Sequence, residues 1–324
     1  MRSQKSGLVR RMSLLSCGVV ACLSIATSAR AETASPAATE ASAPTAAAKP
    51  TPPRYSMPWL MRPLAAANLV RLDMMYATSK VTDTLPILVL GSYKIRPNLA
   101  AIVRLGIIHN KPATGEAGTS LTNGALGVLY ALPITTNVKS SFFVGSTIPF
   151  GQGGGKDPDA AARAANLAGI FARASMDNAL FQMNYLTPMV GADIGYVGND
   201  MTVQLEATML ELIRVRGESV DKDATRTNLM FAMHAGYFPI PQLSFGAELR
   251  YQVWLSNGTI EKKNDAKLLD NWTFGFGPRA HFKLNEKMWL RPGVSLTMGL
   301  DSPTGFSGTG SEYKLVQVDV PFFF

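Results

Sequence analysis

The residues of this chain that could do chemistry are charged side chains that alternate with apolar ones along extended segments. Segment 242–256 is an example, because Glu248 and Arg250 alternate there with Leu249 and Tyr251. Successive side chains of a strand point to opposite faces, so the charges share one face and the apolar side chains share the other. Strands of this kind present fixed charges that can filter polar solutes, provided that they enclose a hydrated space.

Composition argues against several other kinds of chemistry. Both cysteines, Cys17 and Cys22, lie in an amino-terminal stretch that we expect to be removed, which leaves no thiol for a disulfide, a zinc site or a nucleophile. The same stretch carries five of the 31 basic residues, so the remainder has 26 basic against 23 acidic residues. This dilute excess does not predict nucleic-acid binding. We also expect no metal ion and no cofactor.

The alternating segments recur from residue 57 to the end of the chain, and turn residues separate them. Strands can cross lipid only as a closed barrel, where every backbone group is paired. We therefore predict an all-β fold, a transmembrane antiparallel up-and-down β-barrel of about twelve strands, with ten or fourteen as alternatives. The predicted strands are roughly 65–78, 84–95, 98–109, 123–133, 138–150, 188–198, 201–216, 227–239, 242–256, 270–284, 287–301 and 312–324.

The connections between these segments fall into two classes. Short turns at 96–98, 198–200, 239–242 and 285–287 are rich in Pro, Asn, Asp and Gly, and we place them on the periplasmic side. Longer hydrophilic connections at 110–122, 151–187, 217–227, 256–270 and 302–311 are predicted outer loops. Both termini are then periplasmic.

The carboxyl terminus carries the most specific pattern in the chain. Apolar side chains occupy every second position up to the final aromatic residue, at Val316, Val318, Val320, Phe322 and Phe324. This pattern resembles the terminal strand of Gram-negative, porin-like outer-membrane β-barrels, whose closing aromatic residue is a signal for the barrel-assembly machinery. The resemblance implies that the chain lies in the outer membrane, in contact with membrane lipid and lipopolysaccharide.

The same alternation gives the residues that we expect to face the interior and to line a pore: Arg71, Asp73, Arg104, Asp193, Glu206, His234, Glu248, Arg250, Arg279, His281, Arg291 and Asp319. Two arrangements are open for them. They can filter solutes in a hydrated channel, or they can form salt bridges that fill a narrow barrel. Eight-stranded barrels fill themselves and sixteen-stranded porins leave a channel, so a twelve-stranded barrel lies between the two.

The long connection at 151–187 is the other candidate for a functional element. Within it, residues 160–176 predict a short helix that Asp159 can cap. The helix carries few charges, so we expect it to be covered. It either folds into the barrel mouth as a constriction or packs over the other loops.

An enzymatic barrel is the alternative to a channel. Outer-membrane phospholipases carry a His-x-Ser-Asn-Gly arrangement, and residues 254–258 match its serine end at Ser256 but have Trp254 in place of the histidine. Lipid A deacylases use a His-x-Ser pair, which none of the three histidines forms. A spatial triad of Ser256, His109 and an aspartate stays open, because triads depend on geometry rather than spacing. We expect no catalytic residues.

The amino-terminal region predicts export. Residues 1–31 have the basic start, uncharged middle and small-residue site of a signal peptide, with cleavage after Ala31. A retained anchor and a lipoprotein modified at Cys22 are the alternatives. Residues 32–56 are rich in Ala, Pro and Thr and predict a periplasmic linker, either a passive spacer or a tether to a periplasmic partner.

These features predict a porin-like channel for the passive passage of small solutes, formed by residues 57–324 and constricted by the loop at 151–187. The first alternative is a non-conducting structural or adhesive barrel that acts through its outer loops. The second is an outer-membrane lipid-modifying hydrolase.

Overall fold

The structure of this protein is a computed structural model that describes residues 54–79, 82–156, 159–172, 176–217, 224–256, 271–300 and 314–324. The predicted signal peptide and residues 32–53 of the predicted linker lie outside this part, as do most residues of three predicted outer loops.

The described residues form strands wherever the polarity alternates. The strand segments are β1 (Leu69–Thr78), β2 (Thr82–Arg96), β3 (Leu99–Pro112), β4 (Gly118–Leu121), β5 (Gly124–Pro133), β6 (Val138–Ile148), β7 (Tyr185–Gly198), β8 (Met201–Arg214), β9 (Thr225–Ile240), β10 (Leu243–Trp254), β11 (Asn271–Ala280), β12 (Phe282–Lys283), β13 (Trp289–Leu290), β14 (Gly293–Gly299) and β15 (Lys314–Phe323).

These segments form a closed barrel of twelve strands. Three strands are interrupted once, so β4 with β5, β11 with β12, and β13 with β14 each count as a single strand. Neighbours in the chain pair antiparallel, and β1 pairs with β15 from Leu69↔Phe323 to Thr78↔Lys314. This last ladder closes the sheet on itself. The prediction of an all-β up-and-down barrel with twelve strands is therefore confirmed, and the alternatives of ten or fourteen are not needed.

The two ends of the barrel differ, as the sequence predicts. At the turn end, β7 and β8 are joined through Asn199 and Asp200, whose φ angles of 52° and 58° suit the tight turns that match the twist of a hairpin. The other predicted short turns also lie at this end, between β2 and β3, β9 and β10, and β12 and β13. The long connections lie at the opposite end, called here the loop end.

The outer surface of the barrel is apolar. Large hydrophobic side chains are exposed on consecutive strands, among them Val70, Val89, Leu105, Val128, Val144, Ile194, Leu205, Phe231, Phe276 and Leu296. Tyr251 and Trp272 stack on this face with ring centroids 4.4 Å apart. A closed barrel with an apolar exterior satisfies its backbone internally and can face lipid.

Among the described residues, no helix combines the length and the hydrophobicity needed to cross a membrane.

The long connection after β6 folds back over the loop end. It contains helix α1 (Ala160–Ala172) and a 3-10 helix (Met176–Phe181). The Asp159 carboxylate accepts a hydrogen bond of 2.7 Å from Ala162 N, so the predicted cap is formed. Ala165, Leu180 and Phe181 are buried in one cluster with inward side chains of four strands, namely Met75, Ala77, Leu88, Ile108 and Leu315.

Candidate functional site in the barrel lumen

Residues 54–64, called here the inserted segment, run inside the barrel before the first strand begins. Arg54 lies at the turn end, where it forms an ion pair of 2.7 Å with Asp200. Beyond it, every residue from Ser56 to Pro63 is buried, including the large side chains of Trp59 and Arg62. The chain then returns to the turn end, where β1 starts at Leu69 beside Phe323.

The inserted segment first contacts the polar layer at the turn end. The Tyr55 hydroxyl donates to Gln204 Oε1 at 2.8 Å. Ser56 N donates to Thr202 Oγ1 at 2.9 Å. The hydroxyl of Ser56 lies 3.3 Å from that of Ser244.

The carbonyl groups of the inserted segment accept hydrogen bonds from one side of the lumen. Arg279 Nε donates to Met57 O at 3.0 Å. Arg71 donates to Pro58 O at 3.4 Å and also to Trp59 O. Each of these carbonyls lacks a strand partner, and burying it without a hydrogen bond would be costly. The arginines therefore supply the hydrogen bonds that a β-sheet would otherwise give.

Two aspartates hold these arginines in place. Asp73 accepts hydrogen bonds from Arg71 Nε at 2.8 Å and from Gln317 Nε2 at 3.0 Å, and it forms an ion pair of 3.0 Å with Arg104. Asp319, which pairs with Asp73 across the closing ladder, accepts a hydrogen bond of 2.7 Å from Arg279 Nη2. The charges form a connected network, which is the condition under which buried ions are tolerated.

The amide groups of the inserted segment face acidic residues on the other side of the lumen. Trp59 N donates to the Glu248 carboxylate. Arg62 N donates to Glu206 Oε2 at 2.7 Å, and its carbonyl oxygen accepts a bond of 2.8 Å from Gln204 Nε2. The barrel thus offers donors to the carbonyls and carboxylates to the amides, and it holds the segment in one register.

Inward-facing glycines leave the space that this segment occupies. Side chains of the inserted segment lie against four of them: Arg62 against Gly191, Leu64 against Gly195, Ser56 against Gly236, and Trp59 against Gly246. A Cβ atom on Gly191, Gly195 or Gly236 would collide with the facing side chain, and one on Gly246 would touch the Trp59 ring at 3.0 Å. The wall is therefore shaped around the segment.

All the residues that the sequence assigns to the interior lie inside the barrel. Eleven of the twelve are buried and Arg291 is half-buried. Most of them contact the inserted segment, which connects them to one another, and in the part of the chain that the structure describes they do not line an open channel in this conformation. His234 lies 3.6 Å from Glu248, Arg250 Nη2 donates to Thr297 at 3.4 Å, and His281 is hydrogen-bonded to Ser244 at 2.8 Å.

Two features of the lumen were missed by the sequence analysis. The first is the inserted segment itself, which includes Arg54, Tyr55 and Ser56 from the predicted linker. The second is a set of apolar side chains buried in the lumen, namely Leu90, Ile102, Leu129, Phe143, Met189, Leu210, Leu212, Met230 and Trp254. The alternation of inward and outward side chains along each strand places these apolar residues inside, as it does the charged residues. The same rule, applied to the apolar residues, therefore predicts their position.

Beside Arg104, within the described residues, the space left inside is small. Two cavities beside Arg104 have volumes of about 20 Å³ each, and both are lined by Phe143 and Ile102. A cavity of this size holds about one water molecule. In the conformation described, the lumen is filled near these residues.

The residues of the enzymatic alternative lie apart from this network. The Ser256 hydroxyl accepts a hydrogen bond of 2.6 Å from Thr227 N at the loop end of β10. His109 is exposed on β3 and bonded to the Thr119 hydroxyl at 2.9 Å. Asn257 and Gly258, the remainder of the motif, lie outside the described residues.

No family model matches the sequence, and no curated protein matches it either. Solved structures do match. An outer membrane channel from Pseudomonas putida F1 is 12% identical, covers 82% of this chain and 100% of its own, and has a TM-score of 0.52. The NanC porin is 8% identical over 79% of this chain and 100% of its own, with a TM-score of 0.49. The KdgM porin is 10% identical over 78% and 99%, with a TM-score of 0.41.

At these identities the likeness concerns the fold. The resemblance of the terminal strand and the closed twelve-strand barrel agree with the comparison to the Pseudomonas channel. The chain has the fold of an outer-membrane β-barrel.

Proposed function

We propose that this protein is a non-enzymatic, porin-like channel of the outer membrane for the passive passage of small solutes, and that the inserted segment closes it. The interior residues predicted from the sequence line the passage, and they hold the segment when the passage is shut. Solutes cross when the segment leaves the lumen.

The observation that carries this proposal is that the obstacle is separate from the wall. The barrel is closed by the ladder between β1 and β15, and residues 54–64 belong to no strand. Withdrawing the segment would break side-chain hydrogen bonds to Arg71, Glu206, Glu248 and Arg279 but no strand pairing. The wall can therefore stay intact in an open state.

The size of the barrel supports the same conclusion. An eight-stranded barrel has just enough interior for its own side chains, and a sixteen-stranded one keeps an aqueous channel. This barrel of twelve strands lies between the two and holds one additional chain segment, residues 54–64. The polar groups that the segment leaves behind are those of a hydrated passage.

The helices after β6 form a second barrier at the loop end. Phe181 and Leu180 pack against Met75 and Leu88, which supports the proposal that residues 151–187 constrict the passage. A solute must pass this apolar layer as well as the polar one.

The surroundings of the barrel follow from the same proposal. Residues 1–31 direct export, and the pattern Val316, Val318, Val320, Phe322 and Phe324 is read by the barrel-assembly machinery. The apolar exterior contacts outer-membrane lipid and lipopolysaccharide. The turn end and both termini face the periplasm, where residues 32–53 give a partner access to the inserted segment.

The test is single-channel conductance of chain 32–324, refolded into a planar bilayer, before and after residues 55–64 are replaced by a Gly/Ser sequence of equal length. We expect rare openings for the native sequence and sustained stepwise conductance for the replacement, because a Gly/Ser segment lacks Trp59 and Arg62. A matched control replaces residues 38–47 in the same way and should behave like the native chain.

The filled interior also favours one rival, a non-conducting structural barrel. The observation that favours this rival is the small size of the cavities near Arg104, about 20 Å³ each. If the Gly/Ser replacement folds to a heat-modifiable barrel and stays electrically silent, the structural role is correct and the channel is rejected.

A further inference from the structure

The side chain of Arg62 occupies a binding site built from the barrel wall. Its guanidinium forms an ion pair of 3.1 Å with Asp193 and another of 3.6 Å with Glu206, and all three side chains are at most 2% exposed. Arg62 Nη1 donates to Thr208 Oγ1 at 2.6 Å. The ring of Phe143 lies 5.3 Å from the guanidinium carbon, within the range of a cation–π contact.

The shape of the site fits a flat group. Gly191 forms one wall, and a Cβ atom there would collide with the guanidinium. On the opposite strand, Ala207 O lies 3.5 Å from Nη2. Arg62 Nε donates to Asp193 Oδ2 at 3.2 Å, so one carboxylate faces two nitrogens of the fork. This arrangement favours a planar guanidinium over a compact ammonium.

None of these walls belongs to the inserted segment. Phe143 lies on β6, Gly191 and Asp193 lie on β7, and Glu206 and Thr208 lie on β8. Asp193 also accepts hydrogen bonds of 3.1 Å from the Ser141 hydroxyl and from the Gln204 amide, which are neutral donors. When Arg62 leaves, these donors do not replace its charge, and two buried carboxylates that face each other across a ladder lose their cation.

We propose that this site binds free guanidinium compounds, such as a solute with an arginine-like head group, and that they compete with Arg62 for it. The inference rests on the proposed function, because in the native chain, where Arg62 occupies the site, the site becomes accessible when the inserted segment withdraws. Arg62 then acts as a built-in competitor, and a guanidinium solute that takes its place keeps the segment out of the lumen.

The test uses guanidinium chloride at millimolar concentration with the Arg62→Ala variant of chain 32–324. The variant keeps the segment but leaves the guanidinium site empty, so we expect added guanidinium to fill it. Two measurements report this: a saturable rise of the unfolding midpoint and a saturable change in conductance. Methylammonium chloride and potassium chloride at the same concentrations should give neither effect.

Two further variants test whether the response to guanidinium comes from the Arg62 site. Arg62→Ala combined with Asp193→Asn should lose the response to guanidinium, because the carboxylate that faces two nitrogens is gone. Arg54→Ala removes an exposed ion pair at the turn end but keeps Arg62 in the site, so it should show no response at concentrations that saturate Arg62→Ala. Heat modifiability on gels establishes that each variant is folded.

The outcomes separate the two proposals. If Arg62→Ala conducts but guanidinium shifts neither its unfolding midpoint nor its conductance, the site is rejected and the channel stands. If the midpoint shifts in Arg62→Ala but not in the double variant, and no variant ever conducts, the site stands and the channel is rejected. An equal shift of the unfolding midpoint in all variants would mean adventitious binding only and would contradict the proposed site.

Discussion

The Arg279 guanidinium is hydrogen-bonded both to the barrel wall and to the inserted segment. Its Nη2 donates to Asp319 Oδ2 at 2.7 Å, and its Nε donates to Met57 O at 3.0 Å. Asp319 lies on β15, within the ladder that closes the barrel. One side chain therefore connects the closing seam with the segment that fills the lumen.

Replacing Arg279 with alanine should destabilise the folded barrel by about 3 to 5 kcal/mol, because it leaves the buried Asp319 without its closest cation. The measurement is urea unfolding of the refolded protein in detergent, followed by tryptophan fluorescence. Lys283→Ala, an exposed position at the end of the same strand, is the matched control and should change the free energy of unfolding by less than about 0.5 kcal/mol. Equal effects of the two variants would remove the structural role given to Arg279.

Replacing Gly191 with alanine should open the channel without touching the segment's own sequence. The added methyl collides with the Arg62 guanidinium, and overpacking of this kind costs about 1 to 3 kcal/mol. Because this cost falls on the closed state, the ratio of open to closed channels should rise about 5- to 150-fold. Single-channel recordings give this ratio directly.

Ala192→Val provides the control for Gly191→Ala, since Ala192 is the neighbouring residue on the exposed outer face of β7. It should leave the ratio unchanged. An unchanged ratio for Gly191→Ala as well would mean that the fit around Arg62 does not decide closure.

Deletion of the loop-end barrier should raise the conductance only when the inserted segment has also been replaced. Deletion of residues 153–176 alone should leave conductance low, because residues 54–64 still fill the lumen. The same deletion combined with the Gly/Ser replacement of 55–64 should give larger current steps than the replacement alone. Large steps from the deletion alone would show that the loop is the main barrier and the inserted segment is not.

The strands and turns of this barrel could be predicted from the sequence because their signals are local. Alternation fixes which side chains face inward, and a one-residue slip would put Glu248 and Arg250 into lipid. The turn at Asn199 and Asp200 uses residues that tolerate positive φ. Each of these features is decided within about ten residues of chain.

The inserted segment could not be found in the same way, because its structure depends on distant partners. Pro58 and Pro63 interrupt any strand pattern, and the backbone amides of Trp59 and Arg62 donate to residues more than 140 positions away. The sequence signal that does exist is indirect. Inward positions of β7, β9 and β10 carry glycine where a barrel that fills itself would carry larger side chains.

A reversible covalent lock tests the central claim most directly. Ser56 and Ser244 have hydroxyl oxygens 3.3 Å apart, close enough for cysteine sulfurs at these positions to bond after a small rotation, and residues 32–324 contain no other cysteine. Single-channel recordings of the Ser56→Cys, Ser244→Cys double variant would be made before and after reduction, with each single variant as a control.

With the disulfide verified by mass spectrometry, the account predicts a silent channel when oxidised and openings when reduced, while the single variants open under both conditions. Current steps of equal size and frequency before and after reduction would contradict it, because the passage would then not run through the space that residues 54–64 occupy.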